Sequence, residues 1–113
     1  MTAHAKNDHP ADIRFDPSGA KPNAVGRATG FLKALAHEGR LEILCQLIDG
    51  ERSVTEIEGA LGMAQSKVSQ LLMRLRSEGI VEARRDGRNV LYRIERPEIV
   101  EVISVLRRTF CAP

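Results

Sequence analysis

Apolar residues along the chain recur first at helical spacing, then in strict alternation, then at helical spacing again. Val25, Ala28, Leu32 and Leu35 fall three and four apart, one face of a helix that Asn23 is placed to cap. His37, Glu38 and Gly39 interrupt the pattern. A second helix is predicted from about Arg40 to Asp49. Leu41, Leu44, Cys45 and Ile48 form its stripe, and Ile43 and Leu47 add a second apolar face. A helix apolar on two sides belongs at the centre of a core, and Gly50 follows as its C-cap.

Ser53-Val54-Thr55-Glu56 reads as a capping box, in which the Ser and Glu side chains each satisfy a free backbone N–H. The short helix it opens buries Val54, Ile57 and Leu61, and Leu61-Gly62-Met63 makes a tight turn. A fourth helix starts near Gln65 with Val68, Leu71, Leu72 and Leu75 on one face, and Gly79 stops it. Two helices joined by a three-residue glycine turn are a helix-turn-helix signal. Val81 and Ala83 then alternate with Glu82 and Arg84, and Val90, Tyr92 and Ile94 with Leu91 and Arg93. Asp86-Gly87 between them predicts a hairpin, the wing. Pro97 opens a last helix, striped by Ile99, Ile103, Leu106 and Phe110 and widened by Val102.

The fold class predicted is mainly α with a small β-hairpin, a winged helix-turn-helix over residues 23–113. Residues 1–22, with three of the five prolines and few large apolar residues, read as a flexible tail. His4 and His9 lie in it without a Cys or carboxylate cluster at ligand spacing, so they read as solvated rather than metal-bound. A chain of 113 residues makes one domain. So small a domain has little core to cover a terminal apolar stripe. Ile99, Ile103, Leu106 and Phe110, joined by Val25, Leu32 and Leu35, are therefore expected to form a homodimer surface. Aromatics make up 4% of the chain and Trp is absent, which leaves an aliphatic core suited to helix packing.

The net charge of +2 says little, but its distribution says more. Between Ala64 and Arg96, eight Lys and Arg stand against four Asp and Glu. A clustered basic excess is the electrostatic footprint of a nucleic-acid partner, although charge alone favours the plainer reading of a solvated face. The outward face of the fourth helix carries Gln65, Ser66, Lys67, Ser69, Gln70 and Arg74, concentrated where a recognition helix meets the major groove. Gln and Arg suit bidentate contacts to bases, and Ser and Lys suit phosphates. In the wing, Arg85 and Arg88 are the better placed for phosphate or minor-groove contact. Arg93 is expected to cover apolar surface or pair with an acid. The expected partner is double-stranded operator DNA. No nucleophile–base pair, phosphate loop or metal triad is present, so the chain does not read as an enzyme and no cofactor is expected. No apolar run approaches the ~20 residues of a membrane span. Met1 to Pro10 lack the apolar stretch of a secretory signal. The expected location is the cytoplasm, where cysteines rest as thiols.

Phe31-Leu32-Lys33-Ala34-Leu35-Ala36-His37 with Gly39-Arg40-Leu41 resembles the entry segment of the ArsR/SmtB repressors. Ser66-Lys67-Val68-Ser69-Gln70-Leu71-Leu72 resembles their recognition helix. Gly79-Ile80-Val81, Arg84-Arg85-Asp86-Gly87-Arg88 and Leu91-Tyr92 resemble their wing. The resemblance covers roughly residues 25–110. It departs at Glu38, where a Pro is usual, and at Leu71, where a His is common. It implies a dimer built from the first and last helices, two recognition helices in successive major grooves of a palindromic operator, and release of DNA by an inducer. Many members sense metals. One metal-sensing subgroup carries a Cys-x-Cys type motif in the first helix of the pair, but Val54 to Leu61 has no Cys or His. Another uses His and acidic residues on the last helix, which here has Glu98 and Glu101 but no His. Metal sensing is disfavoured.

Cys45 and Cys111 are the only thiols. Cys45 stands in a core stripe, where chemistry alone favours an inert packing residue, and Cys111 could be equally inert. A branch of the resembled family, the SqrR-, BigR- and HlyU-like persulfide and redox sensors, carries one Cys in the second helix and one near the end of the last. The resemblance implies that reactive sulfur species or oxidants link the two thiols by a disulfide or polysulfide and so release DNA. Arg107 and Arg108, close before Cys111, favour its thiolate, so Cys111 is expected to react first. Two alternatives stay open. One is a metal-responsive repressor using Cys45 or Cys111 with the tail histidines. The other is a winged-helix interaction module without specific DNA binding.

Overall fold

Ile43, Leu44, Ile57, Val68, Leu72 and Leu75 are all fully withdrawn from water, and they come from three successive helices that wrap one aliphatic centre. The computed structural model describes residues 23–111; the predicted tail lies outside them. The elements run α1 (Ala24–Leu35), α2 (Glu38–Leu47), β1 (Arg52–Ser53), α3 (Val54–Leu61), α4 (Gln65–Ser77), β2 (Val81–Asp86), β3 (Asn89–Ile94) and α5 (Pro97–Phe110). The result is the winged helix-turn-helix expected, five helices with a small antiparallel sheet in the order β1-β3-β2.

The helix ends follow local chemistry. Ser53 and Glu56 form the predicted capping box: the Ser53 hydroxyl accepts from the Glu56 N–H at 3.1 Å, and the Ser53 N–H donates to the Glu56 carboxylate at 2.8 Å. Such a cap is worth about 1 kcal/mol. Gly62, at φ 67, closes α3 and makes the turn into α4, a backbone conformation that costs a residue with a Cβ. After α4, the Gly79 N–H donates to the Arg76 carbonyl at 3.0 Å and the Ile80 N–H to the Leu75 carbonyl at 2.9 Å. With Gly79 at φ 74 this is a Schellman stop, and buried Ile80 packs back toward buried Leu75. The direction in which the chain leaves α4 for the wing is set there.

Several expectations are corrected. Asn23 is left-handed, at φ 66, and makes no side-chain cap. The second helix begins at Glu38 rather than Arg40, because the ring nitrogen of His37 accepts from the Arg40 N–H and caps it. It ends at Leu47, with Ile48 as its C-cap in place of Gly50. The hairpin turn is Gly87-Arg88, since Asp86 pairs with Asn89 as the last rung of the ladder. A third strand, β1, pairs with β3 through Arg52 with Tyr92 and Ser53 with Leu91; it ties the wing to the start of α3.

The largest correction concerns the terminal stripes. Ile99, Ile103 and Leu35 are buried in this chain's own core, and Leu106 packs against it. The apolar groups left in water on α1 and α5 are Val25, Leu32, Val102, Val105 and Phe110. Periodicity marked an apolar face on each helix, but α5 is wide enough to turn one side inward and another outward.

The N-terminal end of α2 sits hard against α4. A Cβ at Gly39 would meet Leu71 Cδ1 at 3.0 Å, so a side chain here would require Leu71 to shift. Next to it, Arg40 donates to the Ala34 carbonyl at 2.8 Å and to Glu78 at 3.3 Å, where Glu78 follows the end of α4. The Arg40 side chain is 11% exposed. α1, α2 and α4 therefore meet at one guanidinium.

Candidate nucleic-acid interface and thiol pair

The outward side of α4 is not covered by any other described residues. Gln65, Ser66, Lys67, Gln70 and Arg74 are exposed and Ser69 is half-buried, while Val68, Leu72 and Leu75 hold the inner side. Ala64, the N-cap, supplies no side-chain acceptor. No side chain therefore caps the first amides of the helix, and the Lys67 N–H donates to the Ala64 carbonyl at 3.1 Å. Arg74 leans toward Glu78 at 3.8 Å, a loose pair whose guanidinium stays largely exposed. Lys67 and Arg76 have no ion-pair partner among the described residues.

In the wing the four arginines divide by face. Arg84 donates to both carboxylate oxygens of Glu51, at 2.7 and 2.8 Å. That bond, first of all, holds the Glu51 carboxyl below its ordinary pKa. Arg93 pairs with Glu82 across the β2–β3 ladder, as the sequence suggested for Arg93. Arg85 and Arg88 are exposed and have no acid partner among the described residues. Arg88 occupies the turn itself. The two wing residues singled out from sequence are the two left with an unspent charge, whereas Arg84 is held by Glu51.

The thiols lie at the opposite end of α2 from its contact with α4. Cys45 is half-buried on α2 and Cys111 is exposed at the C-cap of α5. Arg107 lies one turn before Cys111, and the Cys111 N–H donates to its carbonyl at 2.8 Å. Its guanidinium grips Asp49, just past α2, at 3.1 and 3.3 Å. Burial pushes the Cys45 thiol up, an ionised Cys111 pushes it further, Arg107 pulls it down, and Glu42 pushes it up slightly. The sequence placed Arg107 beside Cys111 alone, but it acts on both thiols. Arg107 is the residue that spacing along one helix undervalued, because Asp49 is 58 positions away.

Among the described residues, no group of three or more His, Cys, Asp or Glu is arranged to hold a metal ion. No described helix is long and apolar enough to cross a membrane. Residues 37–83 match the family described as bacterial regulatory protein, arsR family. The chain is 41% identical over 85 residues to the transcriptional activator HlyU of Vibrio cholerae, covering 75% of this chain and 79% of that one. The reduced form of that protein superposes with a TM-score of 0.73, over 77% of this chain and 92% of the other, at 40% identity. The biofilm growth-associated repressor of Agrobacterium fabrum is 36% identical over 113 residues, 100% of this chain and 97% of that protein. A homodimeric winged helix-turn-helix DNA-binding domain from Mycobacterium bovis matches with a TM-score of 0.66 at 34% identity, over 81% of this chain and 88% of that domain. These relatives are transcriptional regulators, not enzymes.

Proposed function

The chain belongs to the arsR family of bacterial regulatory proteins, and we propose that it is a homodimeric, cytoplasmic repressor whose hold on a palindromic operator is broken by linking Cys45 to Cys111. The observation that carries the DNA reading is the distribution of charge in the wing. Two of its four arginines are neutralised by acids of this chain, and Arg85 and Arg88 are left free at its far end. Phosphate contacts of this kind position a protein, while Gln65, Ser69 and Gln70 on α4 read base edges. Repression rather than activation is favoured by the full-length match to a repressor, although the Vibrio relative is an activator by name.

The switch follows from α2 acting as a rod. One end carries Cys45 and meets α5 through Asp49 and Arg107. The other end meets α4 at Gly39 against Leu71 and at Arg40 with Glu78. The Cys111 thiolate attacks the terminal sulfane sulfur of a polysulfide, the S–S bond behind that sulfur breaks, the shortened polysulfide leaves as its anion, and Cys111 becomes a persulfide. The Cys45 thiolate then attacks the inner sulfur of that persulfide and expels hydrosulfide. The two thiols lose two electrons, which leave on the expelled sulfur. Pulling α2 toward α5 shifts the seat of α4, and a coupling of about 1–3 kcal/mol between the sites is usual for allostery.

The test is operator binding by the reduced dimer across a salt series, repeated after polysulfide treatment and in parallel with a zinc titration. Salt-dependent binding that polysulfide treatment abolishes is expected. Release by zinc but not by polysulfide would replace the thiol switch with a metal switch. Absence of specific binding at any salt would leave a protein-interaction module.

A further inference from the structure

Six large apolar side chains stand exposed among the described residues, and five of them, Val25, Leu32, Val102, Val105 and Phe110, are on α1 and α5. The sixth is Met73, 67% exposed, on α4. It belongs to no part of the core. By helical geometry it lies over the same outward strip as Ser66, Gln70 and Ser77, at steps of four, three and four residues. A long side chain in a helix leans back toward the N-terminus, which carries the thioether over the turn of Ser69 and Gln70, the middle of the polar face.

We propose that Met73 is a specificity-determining residue that packs on the 5-methyl group of an operator thymine. The inference rests on α4 being the helix that enters the major groove. The edges of the four base pairs offer one apolar group there, the thymine methyl, and every other feature is a donor or acceptor that a thioether serves badly. Methionine fits such a target because its unbranched chain adapts to an irregular apolar contact. Gln70, one turn nearer the N-terminus, supplies the bidentate group that suits adenine. Gln70 and Met73 together select an A·T-containing step. The position also explains why an exposed apolar group is tolerated away from the α1–α5 surface: it is covered when DNA is bound.

The experiment selects the preferred operator with the full-length reduced dimer, then replaces its thymines by deoxyuridine, one symmetric pair at a time. Deoxyuridine removes the methyl and nothing else. At one symmetric pair, wild type weakens roughly fourfold per half-site, the ~0.8 kcal/mol of one buried methyl-sized group, and so roughly fifteenfold for the dimer. Met73→Ala binds the thymine operator about as weakly as wild type binds the substituted one, weakens no further on substitution, and melts at the wild-type temperature. Wild-type binding insensitive to every deoxyuridine, or Met73→Ala weakening as much as wild type at the same pair, overturns the proposal while leaving the recognition helix in place. A dimer that selects no operator overturns both.

Discussion

Arg107 on α5 holds Asp49, beyond the end of α2, with two hydrogen bonds of 3.1 and 3.3 Å. The bond, and then the charge of the same guanidinium, hold the Asp49 carboxyl below its ordinary 3.8. A carboxylate depressed in the folded state adds stability above its unfolded pKa, and that stability disappears as pH falls through the folded value. Wild type should therefore lose more stability than Asp49→Asn when pH drops from about 5 to about 3, and added salt should narrow the gap because both partners face solvent. Urea midpoints at fixed protein concentration measure this. Equal acid slopes for the two proteins would mean that the pair contributes nothing to stability.

Dimerisation should depend on the outward residues of α1 and α5 and not on the stripe that periodicity picks out. Val105→Glu places a carboxylate on the exposed side of α5, where a partner would bury it without a counter-ion. It should convert the dimer to a 12.5 kDa monomer at micromolar concentration, with helix content kept, since Val105 is half in water already. Sedimentation equilibrium with circular dichroism decides. A Val105→Glu protein that sediments as wild type would move the interface elsewhere.

Arg88→Ala should weaken binding to every DNA sequence alike. It should also flatten the slope of log affinity against log salt by about two for a dimer, near 0.9 for each phosphate that is no longer neutralised. Arg84→Ala provides the contrast. Its guanidinium is already committed to Glu51, so its removal should change the slope by much less. Equal slopes for the two variants would break the link between a free wing charge and DNA contact.

Much of the fold is legible because its signals are local. The capping box at Ser53 and Glu56 and the stop at Gly79 each depend on residues a few positions apart. β1 is invisible to alternation because two residues have no period; it exists through its pairing with Tyr92 and Leu91. The turn shifts by one residue because the ladder runs on through Asp86. Ile99 and Ile103 show the limit of periodicity, which marks an apolar face and not what covers it. Arg40 binds Ala34 and Glu78, six and 38 positions away, and no spacing rule reaches that far. Met73 escapes a search for polar readers because it is apolar.

Cys111 should react before Cys45, and capping Cys111 with a neutral group should make Cys45 more reactive. Cys111 is exposed at the end of α5, open to an oxidant or sulfane donor. Cys45 is half-buried, and burial is the largest influence holding its thiol protonated. Only thiolate attacks, so near neutral pH Cys45 is the slower nucleophile. The next influence raising Cys45 is the negative charge of ionised Cys111. Capping Cys111 with a neutral group removes that charge and leaves Arg107 as the strongest remaining charge on Cys45, pulling it toward thiolate. Alkylation of Cys45 should be faster at alkaline pH in a Cys111→Ser protein than in wild type, and slower in Arg107→Gln. Cys45→Ser should bind operator, accept modification at Cys111 and fail to release. Cys111→Ser should bind operator and not release either. Mass-resolved alkylation kinetics, paired with operator binding before and after polysulfide, separate these outcomes. Cys45 alkylated ahead of Cys111 in wild type would reverse the order, and polysulfide-driven release by either single variant would show that one thiol suffices.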